Sequence, residues 1–147
     1  MRHLFASALF FLLFFSGTTA HALGGAKVPA KLDYRAIKAR KPSGAQLDAL
    51  LKEPYQTELL KYSKSHHNAE SLLFLLDVAG GKDKKAIYNR YIDPNGSAPV
   101  NIPNRVKAPL DAQAAAKKWE RLDFSEAVKE IRGLSINEIS TPFLNTK

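Results

Sequence analysis

The chain has 147 residues, with 22 lysines and arginines against 14 aspartates and glutamates, so its formal net charge is +8. It contains no cysteine. This excludes disulfides, thiol nucleophiles, iron–sulfur ligation, zinc sites built on cysteine and the anchor of a bacterial lipoprotein. The length suits one modest domain that can bury an ordinary hydrophobic core.

The N-terminal region has the organisation of a cleavable secretory signal peptide. Arg2 supplies a short positive segment, and residues 4–15 form an almost unbroken apolar run. A histidine then lies between Ala20 and Ala22, which matches the small-x-small pattern that signal peptidase cleaves. The apolar run is shorter than the roughly 20 residues that a membrane-spanning helix needs. We therefore predict an exported protein, periplasmic or secreted; the alternative is an uncleaved N-terminal anchor.

Three segments are predicted along the chain. Residues 1–22 are the signal peptide, residues 23–43 are a basic flexible tail, and residues 44–147 are a helical domain. The tail carries six cations: Lys27, Lys31, Arg35, Lys38, Arg40 and Lys41. Residues 33–37 are predicted to form a short helical turn within it. The tail is interpreted as a solubilising linker, with binding to an anionic surface as the alternative.

Helical periodicity begins after the tail. Ser43 is predicted to cap a first helix, and residues 55–64 continue as a second helix. Asn68 is predicted to cap a third helix, which is apolar on nearly all sides over residues 72–76. Such a helix is typical of the centre of a bundle. Two glycines, at positions 80 and 81, are predicted to end it.

The next elements are a helix, a loop and a shorter helix. Asp83 is predicted to cap a helix over residues 84–92, and a loop rich in turn residues follows over residues 93–103. Within the loop, apolar and polar residues alternate over positions 100–102, which predicts a half-buried segment. The shorter helix after the loop is predicted to break near Pro109 and to restart at Asp111.

Two further elements complete the chain. Asp123 is predicted to cap a helix whose apolar residues follow an i, i+4, i+7 pattern, and residues 137–144 are predicted to form a last short helix. No segment combines alternating polarity with an enrichment in β-branched residues over the length of a strand. The sequence therefore predicts an all-α fold.

The sequence contains no recognisable catalytic motif. No P-loop, Rossmann glycine pattern or nucleophile elbow occurs. Beyond the predicted signal peptide the only histidines are His66 and His67, and adjacent residues on a helix or strand point to different faces. We therefore predict no catalytic residue, no metal site and no cofactor, and a function that is not enzymatic.

The positive charge is spread through the tail and several helices. The sequence indicates no patch in which aromatic residues are interleaved with the basic ones, so nucleic-acid binding is not predicted. Anionic lipid headgroups, envelope polymers or acidic proteins are the more plausible targets for the charge of an exported protein. A solvated basic surface without a specific target is the alternative.

Four stretches, taken in order, carry a resemblance to a known family. Residues 59–65 suit an aromatic-containing helix that ends in Lys-Ser, and residues 68–75 are similar to the signature Ser-Glu-Glu-Asn-Leu-x-Phe-Trp. Residues 86–102 are similar to a helix Ile-Tyr-x-x-Phe-Ile and a following loop with a central asparagine. Residues 124–144 are similar to a last long helix followed by Phe-Leu. Together they resemble the regulator of G-protein signalling (RGS) domain over residues 45–146.

The resemblance implies an all-α, multi-helix domain that contains a four-helix bundle. Such a domain binds the switch regions of Gα subunits and promotes GTP hydrolysis without a catalytic side chain of its own. Carried over by position, five residues are expected to contact the partner: Glu70, Ser71, Asn101, Leu134 and Glu138. Ser71 replaces an asparagine of the family, Pro142 stands at the position of a common arginine, and Leu75 replaces a core tryptophan.

Export and the resemblance together predict a non-catalytic module that binds and regulates an unidentified protein partner outside the cytosol. The first alternative is a GTPase-activating regulator of Gα-type G proteins. The second alternative is a basic protein that attaches to an anionic envelope or membrane surface through residues 23–43.

Overall fold

A computed structural model of the protein describes residues 32–41 and 43–147. Over these ranges the chain contains helices and helical turns but no strand, so the all-α prediction is confirmed. The predicted signal peptide, with Ala20 and Ala22, lies outside the described residues. No helix within the described ranges is both long and apolar enough to cross a membrane.

The described residues form eight α-helices, two π-helical turns and one 3-10 turn. The α-helices are α1 (Tyr34–Lys38), α2 (Ser43–Leu50), α3 (Tyr55–Ser65), α4 (Ala69–Ala79), α5 (Lys84–Ile87), α6 (Asn104–Ala115), α7 (Ser125–Ser135) and α8 (Thr141–Asn145). The π-helical turns are π1 (Tyr88–Ile92) and π2 (Ile136–Ser140), and the 3-10 turn is Trp119–Arg121. Because π1 continues α5 and π2 joins α7 to α8, these turns extend the neighbouring helices.

Helix α4 is the central element of the domain. Leu72 and Phe74 on this helix are fully buried, and Leu75 is 5% exposed. The helix packs against α3, α5 and α7. A helix that is apolar on nearly all sides is stable only when other elements cover it, which explains its place. The predicted central position of this helix is confirmed.

The folded domain begins before residue 44, where the sequence places the end of a flexible tail. Asp33 caps α1 through its side chain, and Ile37 on this helix is 2% exposed. The side-chain amide of Gln46 on α2 donates a hydrogen bond to the carbonyl oxygen of Lys38 at 2.9 Å. This bond closes the C-terminal end of α1. The short helix predicted here is therefore present, and it belongs to the folded domain.

The cap predicted at Asp83 is present, and Asp123 bonds to the start of α7 from the position before its N-cap residue, Phe124. The Asp83 carboxylate accepts a hydrogen bond from the backbone N–H of Ala86 at 2.8 Å, at the start of α5. The Asp123 carboxylate accepts one from the backbone N–H of Ser125 at 2.9 Å, at the start of α7. Both bonds satisfy an amide that has no partner inside its own helix.

Of the two other predicted caps, the one at Ser43 is wrong, and the one at Asn68 has the predicted position but lacks the capping hydrogen bond. Helix α2 begins at Ser43 itself, so this residue is its first helical residue and not its cap. Asn68 precedes α4, but its side chain makes no capping hydrogen bond. Its amide oxygen instead accepts a hydrogen bond from the hydroxyl of Ser63 at 2.9 Å. The asparagine thus ties the start of α4 to the end of α3.

Helix α6 runs unbroken through Pro109, so the predicted break is wrong. The Asp111 carboxylate does not cap a new helix; it accepts hydrogen bonds from the hydroxyl of Tyr88 and from the ammonium group of Lys107, each at 2.8 Å. These bonds join the residues around the proline to the preceding turn and to π1. They offset the loss of the one backbone hydrogen bond that proline cannot donate.

Candidate functional site

Glu70 and Ser71 lie in the first turn of α4. Both are half-buried, and neither side chain makes a hydrogen bond or an ion pair within the described residues. A carboxylate in the first turn is stabilised by the positive end of the helix dipole, which accounts for part of the placement of Glu70. The carboxylate oxygens still have hydrogen-bonding capacity for a partner.

Asn101 lies in the loop between π1 and α6. It is exposed, while Val100 and Ile102 on either side of it are half-buried and pack against the hydrophobic core. The alternation predicted for residues 100–102 is therefore present. Because its neighbours hold the backbone, the asparagine side chain is directed to solvent from a fixed segment.

The Asn101 loop is bonded back to π1. The backbone N–H of Ala98 donates to the carbonyl oxygen of Arg90 at 3.1 Å, and that of Val100 donates to the carbonyl oxygen of Tyr91 at 2.8 Å. Gly96 packs so closely on the same turn that a Cβ there would lie about 2.7 Å from a carbonyl oxygen of π1. No side chain fits at this distance, so the loop needs glycine at this position.

Leu134 and Glu138 lie near the junction of α7 and π2. Leu134 is half-buried against the core, and Glu138 is exposed in π2 without an ion pair among the described residues. Pro142 lies in the first turn of α8. Since proline has no amide hydrogen, it cannot bond to the carbonyl oxygen of Glu138, where a regular α-helix would place this bond. The wider turn π2 precedes it, and such turns are frequent at functional sites.

The five expected contact residues thus occupy three positions. These are the start of α4, the Asn101 loop and the junction of α7 with π2. No side-chain hydrogen bond or ion pair between described residues links one position to another. That the three positions form one surface therefore stays a prediction.

His66 and His67 end helix α3. The Nδ1 atom of His66 lies 2.9 Å from the carbonyl oxygen of Tyr62, and the two rings stack with centroids 4.0 Å apart. His67 has a φ of 55°, in the left-handed region. In the part of the chain that the structure describes, no group of three or more histidine, cysteine or acidic side chains is arranged to hold a metal ion.

An open groove with a volume of ≈ 480 Å³ lies between α2, α4 and α7. Most of its walls are aliphatic, and its polar groups are Asp48, Lys52 and Arg132. Arg132 donates a hydrogen bond to Asp48 at 2.7 Å, which neutralises the charge of both. The groove offers an apolar contact surface without a pair of groups suited to acid–base or nucleophilic chemistry.

The 3-10 turn packs against α5 and places basic and aromatic side chains together. The ammonium group of Lys85 lies 5.4 Å from the centroid of the Trp119 ring. The centroids of the Tyr88 and Trp119 rings are 5.9 Å apart. Lys84 donates hydrogen bonds to two carbonyl oxygens in and just after the 3-10 turn, at 3.0 and 2.7 Å. These bonds fix the junction of the two elements.

We define the Trp119 basic patch as Trp119 with five exposed cations around this junction: Lys84, Lys85, Lys117, Lys118 and Arg121. It is not predictable as a unit from the sequence, because α5 and the 3-10 turn are far apart in the chain. The only local signal was the pair of lysines immediately before the single tryptophan. The patch has one tryptophan among its cations and is not the series of aromatic rings that single-stranded nucleic acid needs, so the expectation about nucleic acid stays a prediction.

A second cluster of charges lies at the end of α4. Asp77 is 9% exposed and accepts a hydrogen bond from the hydroxyl of Tyr91 at 2.7 Å. The guanidinium group of Arg90 lies 3.6 Å from the same oxygen, and the other oxygen lies 2.7 Å from the ammonium group of Lys82. We call this cluster the Asp77 network. Each charged member has an opposite charge beside it.

The network sets the protonation states of its members. Burial by itself would raise the pKa of Asp77, but hydrogen bonds from Lys82 and Tyr91 and the charges of Lys82 and Arg90 outweigh it and lower the pKa. Burial and the hydrogen bond to Asp77 raise the pKa of Tyr91. At neutral pH the network therefore holds an ionised carboxylate and a neutral phenol, which suits a structural role.

Three surfaces of the described domain are thus open to a partner: the Asn101 loop, the groove and the Trp119 basic patch. No family model, curated protein or solved structure matches the chain.

Proposed function

We propose that the protein is a non-catalytic protein-interaction and regulatory module with an RGS-like helical fold, which acts outside the cytosol. The observation that carries this proposal is the Asn101 loop. It exposes a polar side chain between two half-buried apolar residues and is bonded back to π1. A preorganised loop loses little conformational entropy when a partner binds, so more of the contact energy remains as affinity.

The two acidic residues at the other positions support the same proposal. Glu70 and Glu138 make no side-chain hydrogen bond or ion pair within the described ranges. Carboxylate oxygens are acceptors only, and they pair well with arginine, lysine or backbone N–H groups. The resemblance to RGS domains points to these positions as contact residues. A partner with a basic or N–H-rich surface would complement them.

Export determines which proteins can be partners. The predicted signal peptide places the mature protein among envelope or extracellular proteins, apart from cytosolic Gα subunits. For this reason the proposal keeps the protein-binding role of the resemblance and not its usual partner. The regulatory part of the proposal comes from the resemblance to RGS domains, which regulate the proteins that they bind.

A site-specific cross-link tests the proposed surface. Residues 23–147, with a photo-reactive amino acid at position 101, should form one discrete adduct in the exported protein fraction of the host. The matched control carries the same amino acid at Asn145, an exposed asparagine on α8. Excess wild-type protein should compete for the adduct, and a Glu70→Ala/Asn101→Ala variant should compete poorly. Equal adducts from positions 101 and 145, or full competition by the double variant, would sink the proposal.

A GTP hydrolysis assay tests the first alternative. Single-turnover hydrolysis by representative Gα subunits should proceed at the same rate with and without the protein. Acceleration that an Asn101→Ala substitution lowers would make GTPase activation the better assignment.

The N-terminus of the exported protein tests the predicted location. In a secreting host, mass spectrometry should find a mature chain that begins at Leu23. A variant with arginine at both Ala20 and Ala22 should remain uncleaved, because signal peptidase requires small residues there. A full-length exported chain would instead support an uncleaved anchor.

A further inference from the structure

The described cations differ in whether a carboxylate lies beside them. Six of them form ion pairs within 4.0 Å: Lys82, Arg90, Arg105, Lys107, Lys129 and Arg132. The other thirteen described cations form no ion pair within the described ranges, and the five of the Trp119 basic patch are among them. Their charge is therefore not neutralised within the domain and acts on the surroundings.

Three carboxylates lie in the same two segments of chain as the patch cations: Asp83, Glu120 and Asp123. Asp83 and Asp123 accept hydrogen bonds from backbone N–H groups at the starts of α5 and α7. The charge of Lys84 also contributes to the lowered pKa of Asp123, after the hydrogen bonds from Ser125. Glu120 is exposed and is the one carboxylate of the three without a described hydrogen bond. The cations thus outnumber the carboxylates, and two of the carboxylates are engaged with the backbone.

Trp119 gives the patch an amphipathic component. Its side chain is half-buried against the core, so one part of the ring packs inside and the other faces solvent. The indole N–H has no hydrogen-bond acceptor among the described residues. Tryptophan with these properties is favoured at the boundary between a bilayer and water, where the ring contacts acyl chains and the N–H bonds to a headgroup oxygen.

The backbone at Lys117 provides an independent observation. This residue has a φ of 54°, a left-handed conformation that favours glycine. It ends α6, where the N–H of Lys118 donates to the carbonyl oxygen of Gln113 at 2.9 Å. A lysine at this position costs stability compared with glycine. The side chain of Lys117 is exposed at this helix end, next to Lys118 and Trp119.

We propose that the Trp119 basic patch is a docking surface for an anionic phospholipid bilayer. Lys85, Lys117, Lys118 and Arg121 face the headgroup phosphates, and Trp119 inserts at the interface. Each lysine or arginine near an anionic membrane surface adds a similar amount of binding free energy. A single aromatic ring suits a bilayer better than single-stranded nucleic acid, whose successive bases need several rings. The surface differs from residues 23–43, which the sequence suggests for membrane attachment, and from the Asn101 loop.

Vesicle binding with tryptophan fluorescence tests the proposal. Because every residue of the described core lies between Ile37 and Leu144, a chain that begins at Leu23 keeps this core intact. This chain should bind vesicles of equal parts phosphatidylglycerol and phosphatidylcholine, and added salt should weaken binding. Its single tryptophan is a direct reporter, and its emission should shift to shorter wavelength on binding. Vesicles of phosphatidylcholine alone should produce neither effect.

Charge reversal at matched positions separates the patch from net charge. A Lys85→Glu/Lys118→Glu variant should bind the anionic vesicles at least about 30-fold more weakly. The control, Lys61→Glu/Lys64→Glu, changes the net charge equally at two exposed lysines of α3 and should lose no more than about threefold. Circular dichroism should show both variants folded. A Lys38→Glu/Arg40→Glu variant reports on the α1 segment and should resemble the control.

Four outcomes would overturn the proposal. They are equal binding to both kinds of vesicle, equal losses in the patch and control variants, a larger loss in the Lys38→Glu/Arg40→Glu variant, and unchanged tryptophan emission on binding. Tighter binding to the soluble polyanion heparin than to the vesicles at the same salt concentration would assign the patch to a polymer instead of a bilayer. None of these results depends on whether the Asn101 loop binds a protein.

Discussion

The stretch from Lys82 to Tyr91 supplies charge to two neighbouring regions that differ in how the charge is used. Lys82 and Arg90 are directed to Asp77 and have a carboxylate within 4.0 Å. Lys84 and Lys85 are directed to the 3-10 turn, where one bonds to carbonyl oxygens and the other lies over Trp119. Every charged group of the Asp77 network has an opposite charge within 4.0 Å, whereas no cation of the Trp119 basic patch has one within that distance among the described residues.

This difference separates a structural cluster from a surface suited to binding. In the Asp77 network, removal of one member leaves its partners uncompensated beside a nearly buried carboxylate, so the cost falls on folding. In the Trp119 basic patch, the cations are exposed and make no ion pair within the described part of the chain, so the removal of any of them other than Lys84 costs little stability. We therefore expect substitutions in the first region to change stability and substitutions in the second to change binding.

The largest expected effect is that of Asp77→Asn. It removes the negative charge that Lys82, Arg90 and Tyr91 surround, and we expect the free energy of unfolding to fall by about 2 kcal/mol. Urea denaturation measures it. The matched control is Asp48→Asn, whose carboxylate pairs with Arg132 but is 53% exposed, and which should cost less than about 1 kcal/mol. Equal losses in both variants would show that the Asp77 network stabilises the fold no more than the exposed pair of Asp48 and Arg132.

Much of the fold follows from local patterns in the sequence. The central place of α4 is predictable because its apolar residues occupy nearly every side of the helix. The cap at Asp83 is predictable because an aspartate immediately before a helix accepts hydrogen bonds from the backbone N–H groups of the first turn. By contrast, α1 has only five residues, and its stability depends on the burial of Ile37 and on a bond from Gln46. Such tertiary contacts leave no local pattern.

The candidate surfaces were predictable to a smaller extent. Asn101 is recognisable because alternating polarity around it predicts one exposed and two half-buried residues. The Trp119 basic patch depends on the packing of α5 against the 3-10 turn, and no periodicity connects Lys85 with Trp119. The bond between Asp111 of α6 and Tyr88 likewise joins elements that are separate in the chain. Contacts between distant segments are what the sequence pattern lacks.

The effect of intermediate size is the pH dependence of the stability that Asp77 contributes. The pKa of Asp77 in the folded state lies below its ordinary value of 3.8. A lowered folded pKa contributes stability that is present above the unfolded pKa and is lost as the pH falls through the folded pKa. The difference in unfolding free energy between the wild type and Asp77→Asn should therefore be largest near neutral pH and shrink below about pH 4.

A second carboxylate must be separated from this effect. Hydrogen bonds from the side chain and backbone of Ser125 lower the pKa of Asp123. The stability that this carboxylate contributes to the fold is therefore also lost in acid. Asp123 is present in both proteins, so its contribution cancels in the difference. Urea titrations of the wild type and Asp77→Asn at several pH values measure the remainder. A difference that stays constant through the acid range would show that the charge of Asp77 does not stabilise the network.

The smallest effect, and the one that joins the two regions, is that of Lys117→Gly. Glycine relieves the left-handed φ of 54° and should raise the free energy of unfolding by about 1 kcal/mol. The same substitution removes a cation from the Trp119 basic patch and should weaken binding to anionic vesicles. His67→Gly is the matched control, since His67 ends α3 with a φ of 55° and lies outside the patch. It should stabilise to a similar extent and leave vesicle binding unchanged. If Lys117→Gly stabilises the domain without weakening vesicle binding, Lys117 serves only as a helix end and does not belong to the membrane-binding surface.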